Sequence, residues 1–425
     1  MRNSAAMLVL PGITAGFCGQ AAAQAIDRYY PANVPAYQEW AAAASPEQTD
    51  EIYGPLGIRA GAFTIDPSLT EGLEYDSNPL GLANSRGSAA INDSAAVAVN
   101  SNWARNAVNA AFTVDREDYL SLPRQSYTTW AATAGGEYDY ADDKILGGYS
   151  HVYGVTLPTD VGSFGATQPI ITQVDDIRLS DTIGQGRVSL VPAVTADFYD
   201  YSNGSSVIDR ANALYNRQAV TGSVTAGYEF AGGHNVLVVV SDTLAGYSGG
   251  EALFRPASYN DVSVMGGLEY KQSALVIYRV LVGYEERSPT GSGVNSGTVT
   301  APAAELDVIW KPSVLTTVTG KLSQSLQDAP ASGAQGLSET SVSLAVAQSL
   351  RRNLQLDASA QYTSAAFANT SQTQSVFTFT GEATYSFNRN WALSLNYIFN
   401  QSGDSGTADT RFSRHQALLQ LRFQL

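Results

Sequence analysis

The chain has 425 residues, only 15% of them charged, and it is rich in tyrosine (23) and glycine (38). Its formal net charge is −15, and an acidic chain argues against nucleic acid as a partner, because the phosphate backbone repels it. Beyond the first residues there is no apolar run of eighteen or more residues, so the sequence predicts no transmembrane helix. Helical patterns are almost absent, which also disfavours a soluble α/β enzyme.

The first 25 residues are predicted to be a signal peptide. Arg2 is the only charge before Asp27, the stretch from Ala5 to Ala15 is mostly apolar, and Ala23-Gln24-Ala25 fits the small-x-small cleavage rule. Cleavage after Ala25 would remove Cys18, the only cysteine. A mature chain without cysteine suits an oxidising compartment.

Residues 26–57 are a different kind of segment. They contain Pro31, Pro35, Pro46, Pro55 and an alanine run, and they show no alternation of apolar and polar residues. We expect a periplasmic N-terminal extension. The pattern leaves open whether this extension enters the rest of the molecule or is disordered.

From Ile58 onward, tight turns alternate with longer polar loops, and apolar-alternating runs lie between them. The tight turns are centred near residues 103, 142, 185, 232, 272, 312, 351 and 389. The longer loops are centred near residues 82, 121, 165, 207, 252, 292, 332, 370 and 406. Eight turns and nine loops separate eighteen strands. A propeller or a solenoid could share this period, but no blade motif recurs.

The last eleven residues show the strand pattern most clearly. From His415 to Leu425, apolar residues dominate the odd positions and polar residues the even positions. A strand of about ten residues with one apolar and one polar face is the unit of a transmembrane β-barrel. We therefore predict an all-β fold, an antiparallel transmembrane barrel of about 18 strands over residues 58–425, with short periplasmic turns and longer extracellular loops. Leu421, Phe423 and Leu425 lie on the outward face of the closing strand, which should pair with the Phe63–Tyr75 strand because lipid forbids an open sheet edge.

Aromatic residues occur at two levels of the predicted strands. One set lies near the tight turns: Tyr138, Tyr140, Tyr228, Phe230, Tyr270, Trp310, Tyr385, Phe387 and Phe423. The other lies near the longer loops: Tyr75, Tyr153, Phe198, Tyr284, Tyr362 and Phe399. Two aromatic girdles mark the two membrane interfaces, whereas a soluble β-sandwich would bury its aromatic residues in mid-strand.

The start of the barrel region carries a family resemblance. The residues concerned are Pro55–Phe63, Pro67-Ser68-Leu69, Tyr75-Asp76-Ser77-Asn78, and then Ser101, Trp103 and Arg105 at the first tight turn. They resemble the opening of a family of Gram-negative outer-membrane proteins called putative β-barrel porin 2. Members often lie in gene neighbourhoods for exopolysaccharide production and export, so the resemblance implies a secretion role. Leu425 departs from the phenylalanine that commonly ends such chains.

The polar face of each strand supplies candidates for the lining of the bore. They are Arg178, Arg187, Arg217, Arg279, Lys321, Asp115, Asp197, Glu285, Asp307 and Asp357. Acidic residues outnumber basic ones on this face, and rings of charge set the selectivity of a pore, so we expect mild cation preference. The alternative is that opposite charges pair across neighbouring strands and stiffen the wall.

One part of the predicted wall is apolar on both faces. Leu237, Val239, Met265, Ile277 and Leu281 would form an apolar patch inside the bore, which is unfavourable unless something covers it. We expect the longest outer loop, 158–171, to fold inward over this patch and narrow the bore. Its candidate constriction residues are Val161, Phe164 and Ile170. The N-terminal extension is the competing cover, and a thicker wall is the remaining alternative.

Signals for catalysis are weak. Gly246-Tyr247-Ser248-Gly249-Gly250 matches a nucleophile-elbow pattern by letter, but no helix follows it. The histidines at positions 151, 234 and 415 lie too far apart in the predicted barrel for a metal site or a triad. Asp200–Gly204 lacks the full ligand set of a calcium loop. We expect no enzyme activity, no cofactor and no metal.

The sequence thus favours an outer-membrane channel that acts as a passive conduit, with exopolysaccharide export as the leading role. A general diffusion porin for small solutes is the alternative within transport, and an outer-membrane enzyme or structural protein is the alternative outside it. The expected partners are outer-membrane lipid, the outer-membrane assembly machinery and polysaccharide secretion components.

Overall fold

The structure is a computed structural model. It describes residues 29–37, 53–141, 143–161, 166–202, 213–248, 256–271, 273, 275–290, 297–328, 336–368, 371–405 and 411–425, apart from the side chains of 185, 404 and 405. No helix in these ranges has the length and apolar character needed to cross a membrane. The predicted signal peptide, including its cleavage site after Ala25, lies outside the described residues.

The described residues fold into nineteen β-strands in one sheet. Their bounds are β1 Ile58–Ala60, β2 Phe63–Asp76, β3 Ser88–Ser101, β4 Ala107–Tyr119, β5 Tyr127–Tyr140, β6 Asp143–Thr156, β7 Ile170–Gln185, β8 Val188–Ser202, β9 Arg217–Ala231, β10 His234–Tyr247, β11 Ser258–Tyr270, β12 Val276–Thr290, β13 Val299–Ser313, β14 Thr316–Gln327, β15 Leu337–Arg351, β16 Leu354–Phe367, β17 Thr373–Ser386, β18 Trp391–Ser405 and β19 Phe412–Gln424. Two short 3₁₀ helices, Pro123–Gln125 and Ala213–Tyr215, lie in outer connections.

Eighteen strands, β2 to β19, form a closed antiparallel barrel. Each pairs with its neighbour in sequence, and β19 pairs with β2, so no edge of the sheet stays open. The short β1 folds back on the start of β2. This closure confirms the predicted fold class. The strand bounds place the tight turns and longer loops at or near the predicted positions, since turn residues and polarity mark them locally, but the turns predicted near residues 185 and 312 lie at 186–187 and 314–315.

The register of the strands separates a lipid-facing surface from a bore-facing surface. Opposite residues such as Val240 and Val264, and then Tyr284, share the outward face across β10, β11 and β12. Both aromatic sets lie on this outward face, with Tyr138 and Trp310 near the turns and Tyr75 and Tyr284 near the loops, and all four are exposed. Aromatic side chains at these two levels are typical of the two boundaries of the apolar band.

The closing strand has the predicted partner and alternation. Gln416 lies opposite Asp76 and Phe423 opposite Leu69, so the last strand, β19, pairs antiparallel with β2. Leu421 and Leu425 are exposed on the outward face, and the Phe423 ring lies 4.9 Å from that of Trp391. Nothing in the structure explains Leu425 in place of phenylalanine.

Candidate functional site: the bore of the barrel

The stretch 29–37 of the N-terminal extension lies inside the bore. The amide of Asn33 donates to Asn100 Oδ1 on β3 at 2.9 Å, and Asn109 on β4 donates to the Asn33 carbonyl at 2.6 Å. The Tyr37 hydroxyl donates to the Asp176 carbonyl on β7 at 3.1 Å. Residues 29–37 therefore lie against β3–β7, a different part of the wall from the apolar patch on β10–β12, for which the sequence offered the extension as the competing cover.

Glycines make room for this segment. A Cβ added at Gly148 on β6 would lie 2.5 Å from the Tyr37 ring, and one at Gly154 would lie 2.8 Å from the Tyr29 ring. A Cβ at Gly135 on β5 would meet the Pro35 carbonyl. All three face the bore, whereas Gly147, which faces lipid beside Gly148, has nothing closer than 3.7 Å. The wall is thus shaped to fit residues 29–37.

Arg178 on β7 holds the segment by its aromatic rings. Its guanidinium lies 4.5 Å from the Tyr30 ring and 4.8 Å from the Tyr37 ring, which is cation–π geometry. The same side chain bonds the buried carboxylate of Asp176 at 3.1 Å. Burial and the nearby Asp176 carboxylate raise the pKa of both tyrosine hydroxyls far above the usual value, so they stay neutral donors.

A second inward element is the end of β14, which places Asp328 in the bore. The Asp328 carboxylate pairs with Arg217 on β9 and, at 3.1 Å, with Arg287 on β12. The hydroxyls of Tyr247 and Tyr259 donate to it at 3.3 and 3.0 Å. Burial alone would raise the pKa of Asp328, but the two guanidinium groups outweigh it and hold that pKa below its usual value.

The third inward element is the start of the connection between β6 and β7. Thr159 accepts from Arg414 on β19 at 3.1 Å, and Arg414 also pairs with the fully buried Asp76 at 2.6 Å. Val161 is buried in a cluster with Leu337, Ala365, Phe367 and Val376 on β15, β16 and β17. This loop therefore crosses the bore at its outer end, as the sequence predicts.

The target of this loop corrects the prediction. Val161 contacts β15–β17, and not the apolar patch on β10–β12, because the cluster with Leu337 and Phe367 offers an apolar seat at the loop's own level. Leu237, Ile277 and Leu281 of the patch are themselves buried. Ile170 faces inward on β7, where it packs beside Val152 and Val174. Phe164 lies outside the described residues.

The opposite side of the bore is chemically different. On β15–β18 the bore-facing residues of the central part are uncharged: Ser341, Ser343, Ala345, Ser359, Gln361, Thr363, Thr378, Thr380, Ile398 and Asn400. Gln361 donates to Ser341 at 2.9 Å, and Asn400 donates to Thr378 at 2.9 Å. The carboxylates Glu339, Asp357 and Glu382 lie toward the strand ends. We call this surface the neutral wall, and the bore-facing surface of β4–β12 the occupied wall.

Most of the predicted lining residues face the bore, and many are engaged. Arg279 pairs with Glu305 at 3.1 Å, Asp307 lies opposite Lys321, and Asp197 lies opposite Asp176. Glu285 accepts from the Leu326 amide at 2.8 Å. Asp115 faces the bore beside Ser94 on β3, and Asp357 accepts from Gln355 at 3.0 Å. Of these contacts, Arg279–Glu305 and Asp307–Lys321 join opposite charges and fit the alternative of paired charges, whereas Asp197 faces a like charge.

Arg187 is the exception among these candidates. It lies exposed in the tight turn after β7, because Gly186 and Arg187 form that turn, whereas the sequence pattern placed Arg187 in the following strand. Gly186 has a positive φ of 64°, a backbone conformation that favours glycine and fixes the turn there.

Several bore residues were missed from the sequence. Arg287, Arg414 and Asp76 continue the inward phase of their strands to the outer ends, so alternation alone could have included them. Asp328 and the tyrosines of 29–37 lie outside any strand, and no periodic signal marks them. In the described part of the chain no three potential metal ligands come together.

Comparison with known proteins gives the family. The sequence model of the family described as Putative beta-barrel porin 2 matches residues 50–425. No curated protein is significantly similar in sequence. Among solved structures, OccAB3 of Acinetobacter baumannii has 10% identity and a TM-score of 0.45 over 86% of this chain and 100% of that one.

Two further barrels show the same degree of likeness. The FrpB iron transporter of Neisseria meningitidis has 8% identity and a TM-score of 0.45 over 87% of this chain and 83% of that one. A bacterial polysaccharide outer membrane secretin has 10% identity and a TM-score of 0.37 over 84% and 98%. Because the family match covers most of the chain, this protein belongs to the Putative beta-barrel porin 2 family.

Proposed function

We propose that this porin-family barrel is a passive outer-membrane conduit for an uncharged, hydroxyl-rich polymer, with exported exopolysaccharide as the cargo. The observation that carries the proposal is the neutral wall. Serine, threonine, asparagine and glutamine side chains offer both donors and acceptors, which match the hydroxyl groups of a glycan. They place no fixed charge in the centre of that wall, so an uncharged chain loses nothing by lying on it.

The occupied wall distinguishes the conduit from a general diffusion porin. Residues 29–37 and Asp328 fill one side of the bore with contacts that are specific in shape and charge. A sieve for small solutes gains nothing from a wall shaped to hold its own N-terminal segment. In a conduit for one polymer, the same contacts would confine the cargo to the neutral wall.

On this proposal the protein resides in the bacterial outer membrane, is inserted by the outer-membrane assembly machinery and receives its cargo from polysaccharide secretion components. A non-catalytic role follows from the same reasoning. Passive conduction of a polymer needs no nucleophile, general base or metal ion.

Single-channel recording in planar bilayers tests the cargo class. Neutral glucan oligosaccharides should slow or block the current at concentrations where polyethylene glycol of equal size has no effect. Thr380→Val, which removes a bore-facing hydroxyl without changing shape, should weaken the block by about 2- to 10-fold, the loss of roughly one hydrogen bond. Thr340→Val, on the lipid-facing side of β15, is the control and should leave the block unchanged. Equal responses to glucan and polyethylene glycol would refute the proposal in favour of a general porin.

A further inference from the structure

A cleft of about 410 Å³ opens on the lipid-facing surface of the barrel, where β4–β7 reach the outer loops. It is lined by residues of these four strands and of the outer connections between β4 and β5 and between β6 and β7. Strand register places it on the outward face, since Arg116 lies opposite Thr128 and the girdle residue Tyr153 lies opposite Trp130. It is therefore separate from the bore and its contents.

Two loops build the upper part of this cleft. The connection between β4 and β5 supplies Arg124 and Ser126, and the connection between β6 and β7 supplies Gln168 and Pro169. Buried Gln125 joins them, because its amide donates to the Thr167 carbonyl at 2.7 Å. This bond fixes the two loops relative to each other. The cleft is thus a built feature of the outer rim.

Two guanidinium groups give the cleft its chemistry. Asp118 accepts from Nε and Nη2 of Arg116 at 2.6 and 3.1 Å, which orients Arg116 and leaves its Nη1 outside that pair. Arg124 is exposed and forms no ion pair with any described residue. Asp93, opposite Arg116 on β3, offsets part of the charge of Arg116, so Arg124 is the principal anion-binding group.

The hydroxyls of Ser126 and Thr128 add neutral donors beside the arginines. Ser126 Oγ already accepts from the Tyr119 amide at 2.9 Å, so its own proton is available to a ligand. Two guanidinium groups with hydroxyl donors are a set that binds phosphate oxygens. The two carboxylates Asp118 and Asp93 both lie beside Arg116, so a phosphate would bind at the Arg124 end of the cleft.

The side of the cleft formed by β6 and β7 is apolar. Val155, Pro169 and Ile171 line it together with the Tyr153 ring, which stacks on Trp130 at 6.3 Å in the outer aromatic girdle. A ligand seated here would carry a phosphate at the arginines and hydrocarbon along the girdle. We propose that this cleft binds the phosphorylated headgroup of an outer-leaflet lipid. The proposal is independent of the cargo of the bore.

Lipid retention by the purified barrel tests the proposal. The protein in mild detergent is loaded with diphosphoryl lipid A or with its fully dephosphorylated form, and bound lipid is measured by native mass spectrometry. The wild type should retain the phosphorylated lipid about tenfold more strongly than the dephosphorylated one. Arg124→Gln should reduce retention of the phosphorylated lipid severalfold, and adding Arg116→Gln should remove the preference.

Arg86→Gln is the matched control, because Arg86 is an exposed arginine on a neighbouring outer loop and lies outside the cleft. It should retain lipid like the wild type. Arg124→Gln changes an exposed loop residue, so heat-modifiable migration should confirm that the variant barrel is folded. Equal losses in Arg86→Gln and Arg124→Gln would overturn the proposal. So would displacement of the lipid by millimolar inorganic phosphate, which would make the cleft a site for the free ion.

Discussion

The two sides of the bore differ in what binds them. On the occupied wall, Arg178 holds two tyrosines of the N-terminal segment, and Arg217 and Arg287 hold Asp328. On the neutral wall, amide and hydroxyl groups such as Gln361 and Thr378 bond mainly to one another. Charged and aromatic groups fix a permanent occupant, whereas short neutral groups can exchange partners along a moving chain. The barrel's own segments therefore lie on the occupied wall and at the outer end of the neutral wall, and on the proposed function the central part of the neutral wall is left for cargo.

The largest effect should come from breaking the strand that joins the two sides. Insertion of one residue after Gln416 shifts β19 against β2 and turns Leu419 and Leu421 into the bore, so the barrel should not close. The expected result is complete loss of heat-modifiable migration. The same insertion after Ser371, in an exposed outer loop, should be tolerated. Normal migration of the first variant would contradict the register.

Removal of the charge of Asp328 should weaken the occupied wall strongly. Asp328→Asn removes the buried ion-pair partner of Arg217, whereas Arg287 keeps its pair with Asp261 at 2.8 Å, and the loss of one partner of a buried pair costs about 3–5 kcal/mol of unfolding free energy. The side chain at position 328 should also leave its site in the bore, so single-channel conductance should rise. Glu286→Gln, which removes an exposed charge beside Arg287, is the control for urea unfolding and conductance. Equal stability of the two variants would show that the cluster holds nothing in place.

The glycine seat of the N-terminal segment should be the next most sensitive feature. Gly148→Ala places a methyl group against the Tyr37 ring, and overpacking of this kind costs about 1–3 kcal/mol. The segment should be displaced and the conductance should increase. Gly147→Ala, one residue away on the lipid-facing side, should conduct like the wild type. A Gly148→Ala channel with unchanged conductance would place the segment outside the current path.

Acid should release Asp328 from its ion pairs with Arg217 and Arg287. The pKa of Asp328 in the folded barrel lies below its unfolded value of about 3.9, so the carboxylate stabilises the cluster at neutral pH. That contribution is complete above the unfolded pKa and is lost as the pH falls through the folded pKa. Conductance should therefore rise only below about pH 4. Asp328→Asn should lack this step, and a step at pH 6 would point to another group.

Ion selectivity should show the weakest of the expected effects. More acids than bases face the bore, but pairs such as Arg279–Glu305 cancel part of the excess, so cation preference should be mild. Reversal potentials in a salt gradient measure it. A preference for anions would contradict the assignment of the polar strand faces to the bore.

How far the sequence predicts this molecule depends on how local the signal is. The strands, the turns and the closing pair follow from alternation and turn residues, because those signals act within a few residues. The same alternation places Arg178 and Arg217 in the bore. It ends at the strand termini, so Asp328, Thr159 and the tyrosines of 29–37 carry no periodic mark, although they decide what fills the bore.

The position of Val161 shows a second limit of prediction from the sequence. The sequence identifies an apolar loop and an apolar wall, but burial is not directional, so apolar character alone cannot say which wall receives the loop. The structure places Val161 against Phe367 and Val376, across the bore from β6. Glycines at positions 135, 148 and 154 make room for residues 29–37 on the other side of the bore. A glycine in a strand can have several structural reasons, however, so the sequence alone does not show what packs against it.

The most direct test of the division between the two walls is protection of a single thiol by cargo. In a Cys18→Ser background, Ser359→Cys places a thiol on the neutral wall, and Thr195→Cys places one on the occupied wall. Labelling by a small thiol reagent is then followed with and without a neutral glucan oligosaccharide. The glycan should slow labelling at Ser359→Cys severalfold and leave Thr195→Cys unchanged. Equal protection at both positions, or protection at Thr195→Cys alone, would contradict the account.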